Sequence, residues 1–217
     1  MYQWILFDLD GTLTDPGEGI TNSVAYALEK WNIKVQDRTE LYPFIGPPLK
    51  DSFEKYYGFT DVEAERAVEY YREYYREKGI FENKLIPGIT ELLAKIHDSG
   101  KKIMLATSKP ESFARSILEH FGIEEYFDFI GGASMDGSRT KKTDVILYVL
   151  EKCNIETYEN VVMIGDRKYD IEGAKQAGLD SIGVLFGYGD HKELTEAGAT
   201  YIVEKPEDIL NVLCHNF

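Results

Sequence analysis

Short apolar segments alternate along most of the chain with amphipathic segments of helical period. In the amphipathic segments the apolar residues recur every three or four positions. Strands that alternate with helices in this way form βαβ units, whose parallel strands are joined by right-handed crossovers. The pattern predicts an α/β fold with a doubly wound, Rossmann-like, mostly parallel sheet. The predicted strands are residues 4–9, 102–106, 127–130, 161–164, 181–184 and 201–203, and the helices around them include 89–98, 112–120, 144–152, 170–177 and 206–214.

Residues 17–84 interrupt this alternation. No apolar strand segment occurs there, and segments 19–31, 49–57 and 62–78 have helical period. The four tyrosines between residues 70 and 75 lie on one face of the last segment, as expected for packing between helices. We therefore predict an α/β core of residues 1–16 and 85–217 and an all-helical inserted subdomain of residues 17–84.

The net negative charge of the chain limits the kinds of partner that it can bind. Its 217 residues include 24 lysines and arginines and 38 aspartates and glutamates, a net charge of −14. Such a surface repels nucleic acid phosphates and anionic lipid headgroups, so we expect no nucleic acid or membrane partner. Cys153 and Cys214 lie far apart in the sequence, which disfavours a disulfide framework or a zinc site. Since neither a signal peptide nor a run of about 20 apolar residues is recognisable, we expect a soluble, cytoplasmic protein.

Carboxylates follow two of the predicted strands at their carboxyl ends, where ligands bind in open α/β sheets. Asp8 and Asp10 follow the first strand, and Asp166 and Asp170 follow the fourth. Four carboxylates in one crevice repel one another strongly unless a cation lies among them. Because the ligands are oxygens and no histidine or cysteine is near in sequence, Mg²⁺ is favoured over zinc. The alternative is that these aspartates are turn residues and helix caps.

Positive charge is concentrated in loops at the same edge of the predicted sheet. Six basic residues lie in three of these loops, namely Lys109, Arg139, Lys141, Lys142, Arg167 and Lys168. A local basic cluster in an acidic protein indicates an anionic ligand. The alternative is that each is a solvated loop residue. Together, the carboxylates, a metal ion, a lysine and hydroxyl groups compose a phosphoryl-transfer site.

Four motifs, in this order, resemble those of haloacid dehalogenase superfamily phosphatases with a helical cap. FDLDGTLTD at residues 7–15 resembles the first motif, and LATSK at 105–109 resembles the second. Lys142 resembles the lysine of the third motif, and IGDRKYD at 164–170 resembles the fourth. The resemblance covers nearly the whole chain. The segment DGSRTKKTDVI around Lys142 is similar to a phosphoglycolate phosphatase-like or 5′-nucleotidase-like subgroup.

The resemblance implies a role for each matching carboxylate. Asp8 is implied to be the nucleophile that forms an aspartyl-phosphate, and Asp10 the general acid and base. Asp8, the backbone carbonyl of Asp10, and Asp166 are implied to bind Mg²⁺. Asp170 is implied to support the metal through water or from outside the ligand set.

The resemblance also implies residues that bind the phosphoryl group, namely Thr107, Ser108 and Lys142, of which Lys142 would also steady the nucleophile. Because two lysines are adjacent, Lys141 remains the alternative. Segment 44–49 resembles the cap loop that reaches toward the nucleophile, which makes Gly46 a predicted substrate-binding residue. The alternative for that segment is an ordinary loop between helices.

These features together lead us to expect a Mg²⁺-dependent phosphatase of a small phosphorylated metabolite, such as phosphoglycolate or a nucleoside monophosphate. A phosphosugar mutase of the same fold and a non-catalytic phosphometabolite-binding module remain alternatives. A dehalogenase is disfavoured, because its chemistry needs neither Asp10 nor Mg²⁺. We expect the protein to be a monomer or a weak homodimer.

Overall fold

The computed structural model describes residues 1–214. The chain divides into two compact units. One contains Met1–Thr14 and the chain from Leu85 onward, and the other contains Asp15–Lys84. The sequence places the corresponding boundaries after residues 16 and 84. The last three residues of the predicted core, 215–217, lie outside the described part of the chain.

The secondary structure elements are named in chain order. The strands are β1 (Trp4–Phe7), β2 (Thr14–Asp15), β3 (Lys84–Leu85), β4 (Lys102–Pro110), β5 (Phe129–Ala133), β6 (Val161–Gly165), β7 (Asp180–Val184) and β8 (Tyr201–Val203). The α-helices are α1 (Gly17–Glu29), α2 (Leu49–Tyr57), α3 (Asp61–Tyr74), α4 (Ile89–Asp98), α5 (Glu111–His120), α6 (Lys142–Lys152), α7 (Lys168–Gln176), α8 (His191–Ala197) and α9 (Pro206–Cys214).

Six strands of the larger unit form one parallel sheet in the order β5-β4-β1-β6-β7-β8, and β2 pairs with β3 separately. Trp4 of β1 pairs with Lys102 of β4 on one side and with Val161 of β6 on the other, so the three central strands begin at the same level of the sheet. Because the strand order reverses at β1, its carboxyl end is the position where ligands bind in open α/β sheets. The predicted α/β fold is confirmed.

Helices cover both faces of the sheet. On one face, Val145 of α6 belongs to the same buried cluster as Leu6 and Met163. Ile5 and Ile103 are also fully buried, and since successive strand residues point to opposite faces they belong to the other side. There α4 packs against β4 and α9 packs against α4. Burial on both sides explains why the strands are continuous apolar segments in the sequence.

The smaller unit is helical. It contains α1, α2 and α3, a 3₁₀ helix over Arg38–Phe44 and a π-helical turn over Tyr75–Gly79. Thr60 caps α3 through the amide of Glu63, as a capping box. A side chain on Gly19 of α1 would overlap the carbonyl of Gly79. The backbones of α1 and the π-helical turn can therefore come this close only with glycine at that position.

β4, α3 and α8 are among the elements that differ from the sequence prediction. β4 continues to Pro110, beyond the predicted end at residue 106. The prediction stopped early because the residues after 106 are polar and do not continue the apolar segment. The helix predicted over 62–78 ends as an α-helix at Tyr74, and its last turn is π-helical. Helix α8 was not predicted, because it has only seven residues; Asp190 caps it by accepting a hydrogen bond from the amide of Glu193 (2.8 Å).

Two further observations concern the cysteines and the length of the helices. Cys153 and Cys214 are both free thiols. Between residues 1 and 214, none of the helices combines the length and the apolar character needed to cross a bilayer.

Candidate active site

The first predicted aspartate lies where β1 ends. The amide of Asp8 donates a hydrogen bond to the carbonyl of Ile164 in β6 (2.9 Å), and its side chain is only 8% exposed. The turn that follows is closed by a hydrogen bond from the amide of Gly11 to the carbonyl of Thr14 (2.7 Å). Gly11 has a φ of 80°, and a side chain there would overlap the carboxylate of Asp166. The glycine of the first motif thus lets β1 and β6 present their carboxylates side by side.

The next two aspartates lie at the end of β6. Asp166 is fully buried, and its Oδ2 accepts a hydrogen bond from the amide of Tyr188 (2.7 Å). Asp170 lies in the first turn of α7, where its Oδ2 accepts a hydrogen bond from the amide of Arg167 (3.0 Å). Gly165 lies against the carboxyl group of Asp170, so that a side chain at position 165 would overlap it. Backbone groups therefore fix both aspartates, Asp170 from within the fourth motif and Asp166 from the segment after β7.

Lys142, the first residue of α6, joins the two motifs. Its Nζ lies 2.7 Å from Oδ1 of Asp8, 2.8 Å from Oδ1 of Asp170 and 3.0 Å from the carbonyl oxygen of Ala106. Burial lowers the pKa of Lys142, but the two carboxylates outweigh burial and raise it above its usual value. Lys141 is exposed. Of the two adjacent lysines, Lys142 is therefore the one that contacts the carboxylates.

The cluster of Asp8, Asp166 and Asp170 has the composition of a cation site. Each offers one carboxylate oxygen, and these oxygens all lie within 4.8 Å of one another. Burial raises the pKa of Asp166 well above its usual range, and the charge of Asp170 raises it further. Burial also raises the pKa of Asp170 to about 6, although Lys142 opposes this shift. Buried oxygens whose charges require compensation fit a hard divalent cation such as Mg²⁺.

Asp10 pairs with a different lysine. Its Oδ2 lies 2.9 Å from Nζ of Lys109, and the two side chains are 13% and 5% exposed. Burial raises the pKa of Asp10, Lys109 opposes this effect, and the charge of Asp8 adds to it. From the sequence, Lys109 was only one of six basic residues near the sheet edge, without an assigned partner. A buried ion pair within the predicted catalytic motifs is therefore an addition from the structure.

The remaining predicted residues occupy different surroundings. Thr107 is buried within β4, where its Oγ1 accepts a hydrogen bond from the amide of Lys109 (3.2 Å). Ser108 is half-buried beside it. Gly46 lies in the smaller unit and has a φ of 106°. The roles of Thr107, Ser108 and Gly46 in phosphate or substrate binding stay predictions.

The segment after β7 and helix α8 support the fourth motif, which the sequence did not reveal. Glu193 of α8 accepts hydrogen bonds from Nε of Arg167 (2.9 Å) and from the amide of Lys168 (2.9 Å). A side chain on Gly187 would overlap the carboxylate of Asp166. The available signal was the Gly-Tyr-Gly-Asp segment before a short capped helix, which marks a close backbone approach followed by a helix start.

The chain is similar along most of its length to several known proteins. A curated protein named 5′-nucleotidase from Pseudomonas aeruginosa is 46% identical over 193 residues, which cover 89% of this chain and 87% of that protein. A protein named tyrosine-protein kinase PtkA from Mycobacterium tuberculosis is 39% identical over 200 residues, 92% of this chain and 68% of its own. The crystal structure of a predicted phosphatase from Clostridium acetobutylicum superposes with a TM-score of 0.96 at 48% identity and covers 99% of each chain.

The family is shown by a match along most of the chain. A sequence model of a protein family, described as haloacid dehalogenase-like hydrolase, matches residues 5–184. That range contains all four motifs, from Asp8 to Asp170. The match confirms the predicted enzyme class of hydrolase. The chain belongs to the haloacid dehalogenase-like hydrolase family.

Proposed function

We propose that this protein is a Mg²⁺-dependent phosphatase that hydrolyses small phosphate monoesters through an aspartyl-phosphate on Asp8. The observation that carries the proposal is the buried contact between Asp8 and Lys142 (2.7 Å), beside Asp166 and Asp170 at the carboxyl edge of the sheet. A carboxylate oriented by a lysine can attack phosphorus once the charge of the phosphoryl oxygens is neutralised.

The metal would be held by Asp8, the backbone carbonyl of Asp10, and Asp166. Asp170 would support it from outside the ligand set, because its Oδ1 lies 2.8 Å from Lys142 and its Oδ2 accepts a hydrogen bond from the amide of Arg167. When bound, a divalent cation neutralises charge on the phosphoryl oxygens and makes the phosphorus more electrophilic.

In the first half-reaction, a carboxylate oxygen of Asp8 attacks phosphorus. The new bond between Asp8 and phosphorus forms as the bond between phosphorus and the ester oxygen breaks. Asp10, in its protonated form, gives its proton to that oxygen, so that a neutral alcohol leaves. Burial favours this form because it raises the pKa of Asp10. Lys142 and Thr107 would hold the oxygens of the transferring group.

In the second half-reaction, water attacks the phosphorus of the aspartyl-phosphate. The carboxylate of Asp10 takes a proton from that water, which restores the acid for the next cycle. The bond between phosphorus and Asp8 breaks, so that inorganic phosphate and the free carboxylate are released. The same residue thus serves as acid and then as base.

The substrate class that we propose is the small alkyl phosphates, with nucleoside 5′-monophosphates first. Support comes from the Pseudomonas relative, which is named 5′-nucleotidase and is 46% identical. Phosphoglycolate is the second choice, on the resemblance of the segment around Lys142. We further propose that the helical unit Asp15–Lys84 is a cap that selects the substrate and that its loop around Gly46 contributes to binding.

The test is phosphate release from a panel of nucleoside, sugar and short carboxylic-acid monophosphates. Each is assayed with Mg²⁺ and with EDTA, and Asp8→Asn, checked for folding by circular dichroism, serves as the blank. We expect release that needs both Mg²⁺ and Asp8. Isomerised sugar phosphate without release would instead indicate a mutase. Binding without turnover would indicate a binding module, and transfer from ATP to tyrosine would indicate a kinase. Each of these results contradicts the proposal.

A further inference from the structure

The end of β4 is irregular at the residue that pairs with Asp10. Thr107 pairs with Gly132 of β5, but the next pair along the ladder is Pro110 with Ala133. Ser108 and Lys109 are therefore extra residues on β4. A side chain on Gly132 would come within 2.6 Å of the Cα of Glu111 and 2.8 Å of the carbonyl oxygen of Lys109. The strand can take this path only beside a glycine, as at other bulges that redirect a side chain.

The irregular path places the Lys109 side chain in the interior. Its side chain is 5% exposed, and its Nζ lies 2.9 Å from Oδ2 of Asp10. Lys142, also buried, contacts Asp8 and Asp170 instead. Lys109 and Lys142 therefore contact different carboxylates. Burying a charged ammonium is costly unless it has such a partner.

The two oxygens of Asp10 differ in their surroundings. Oδ2 contacts Lys109, whereas Oδ1 is buried and has no hydrogen-bond partner within the described residues. A carboxyl group held by one oxygen keeps a fixed orientation, and its other oxygen remains available to exchange a proton. An unpartnered buried oxygen is unfavourable in a protein interior, which indicates that a ligand group is its partner during the reaction.

We propose that Lys109 is a positioning residue that anchors Oδ2 of Asp10 and so directs Oδ1 toward the leaving oxygen and then toward the attacking water. The inference rests on the proposed function, in which Asp10 is the general acid and base. Lys109 acts through Asp10 and not on the phosphoryl group. Its removal should therefore matter most where proton transfer to the leaving group is needed.

The experiment compares two leaving groups. One substrate is p-nitrophenyl phosphate, whose leaving group departs without a proton, and the other is the alkyl monophosphate with the highest kcat/KM in the panel above. The variants are Lys109→Met, Asp10→Asn and their double variant. Lys101→Met is the matched control, because Lys101 lies just before β4 and is buried like Lys109, but its Nζ contacts the carbonyl oxygen of Tyr2.

General acid–base catalysis contributes about 10² to 10⁴ in rate, so we expect Asp10→Asn to lose that much kcat on the alkyl substrate. Lys109→Met should lose at least about tenfold in kcat/KM on the alkyl substrate and several times less on p-nitrophenyl phosphate, because kcat/KM reports the first half-reaction, in which the two leaving groups differ. The double variant should be about as slow as Asp10→Asn alone, since two residues that act as a unit are non-additive. Lys101→Met should keep the wild-type kcat.

Several outcomes would overturn the inference. Equal losses in kcat/KM on both substrates, or additive losses in the double variant, would mean that Lys109 acts on the substrate itself. A comparable loss in Lys101→Met would mean that burial of a lysine matters and not its contact with Asp10. If Lys109→Met does not fold, Lys109→Gln replaces it under the same criteria. An inactive wild-type protein would overturn the proposed function and this inference together, whereas the other outcomes leave the proposed function intact.

Discussion

Replacing Lys142 by methionine tests how strongly the buried carboxylates depend on its ammonium group. Lys142→Met retains a long apolar side chain but removes a charge that lies within 2.8 Å of both Asp8 and Asp170. Removing one partner of a buried ion pair typically costs about 3–5 kcal/mol. We expect the free energy of unfolding at pH 7 to fall by about that amount.

The loss of stability in Lys142→Met should depend on pH because Asp170 titrates. In the wild type its pKa is raised to about 6, so the folded protein gains stability relative to the unfolded chain only as the pH falls below that value. Lys142 opposes the rise, so in Lys142→Met the folded-state pKa of Asp170 should rise further, and we expect its protonated form to be present already at pH 7. One pKa unit corresponds to about 1.4 kcal/mol. The gap between variant and wild type should therefore narrow by about 1.4 kcal/mol between pH 7 and pH 5.

The assay is urea denaturation in EDTA at pH 7 and pH 5 for the wild type, Lys142→Met and Lys101→Met. Lys101 is buried like Lys142, but its ammonium contacts the carbonyl oxygen of Tyr2 (2.6 Å). The loss of unfolding free energy in Lys101→Met should therefore be the same at both pH values. The reasoning would be refuted if the loss of unfolding free energy in Lys142→Met were no smaller at pH 5 than at pH 7. An equal decrease of the loss in Lys101→Met would also refute it.

Three further predictions concern the metal and its surroundings. Saturating Mg²⁺, at about 100 times its Kd, should stabilise the wild type by about 2.7 kcal/mol but leave Asp166→Asn unchanged in thermal denaturation; stabilisation of both would remove Asp166 from the site. Gly165→Ala should lose about 1–3 kcal/mol in urea denaturation, because the new methyl group would overlap the carboxyl of Asp170; wild-type stability would contradict the packing. Glu193→Ala should raise the Mg²⁺ concentration for half-maximal phosphate release by about tenfold, because Glu193 holds Arg167 beside Asp166; an unchanged Mg²⁺ requirement argues against that support.

Much of the fold follows from the sequence because the strands are buried on both faces and so appear as continuous apolar segments. The positions of Asp8 and Asp166 also follow, since parallel strands such as β1 and β6 end at one edge. The pairing of Lys109 with Asp10 does not, because it depends on two extra residues in β4 that no apolar pattern marks. Helix α8 was not predicted for a related reason, since seven residues are too few to show a helical period. The substrate role of Gly46 stays a prediction.

The central claim is that Asp8 becomes phosphorylated during turnover. The most direct test is to quench wild-type protein during hydrolysis of its best substrate in Mg²⁺, reduce it with borohydride, and map the peptides by mass spectrometry. Borohydride reduces an acyl-phosphate of aspartate to homoserine. The account predicts homoserine at position 8, absent when EDTA replaces Mg²⁺. Full turnover with Asp8 unmodified, or with homoserine at another aspartate, would contradict it.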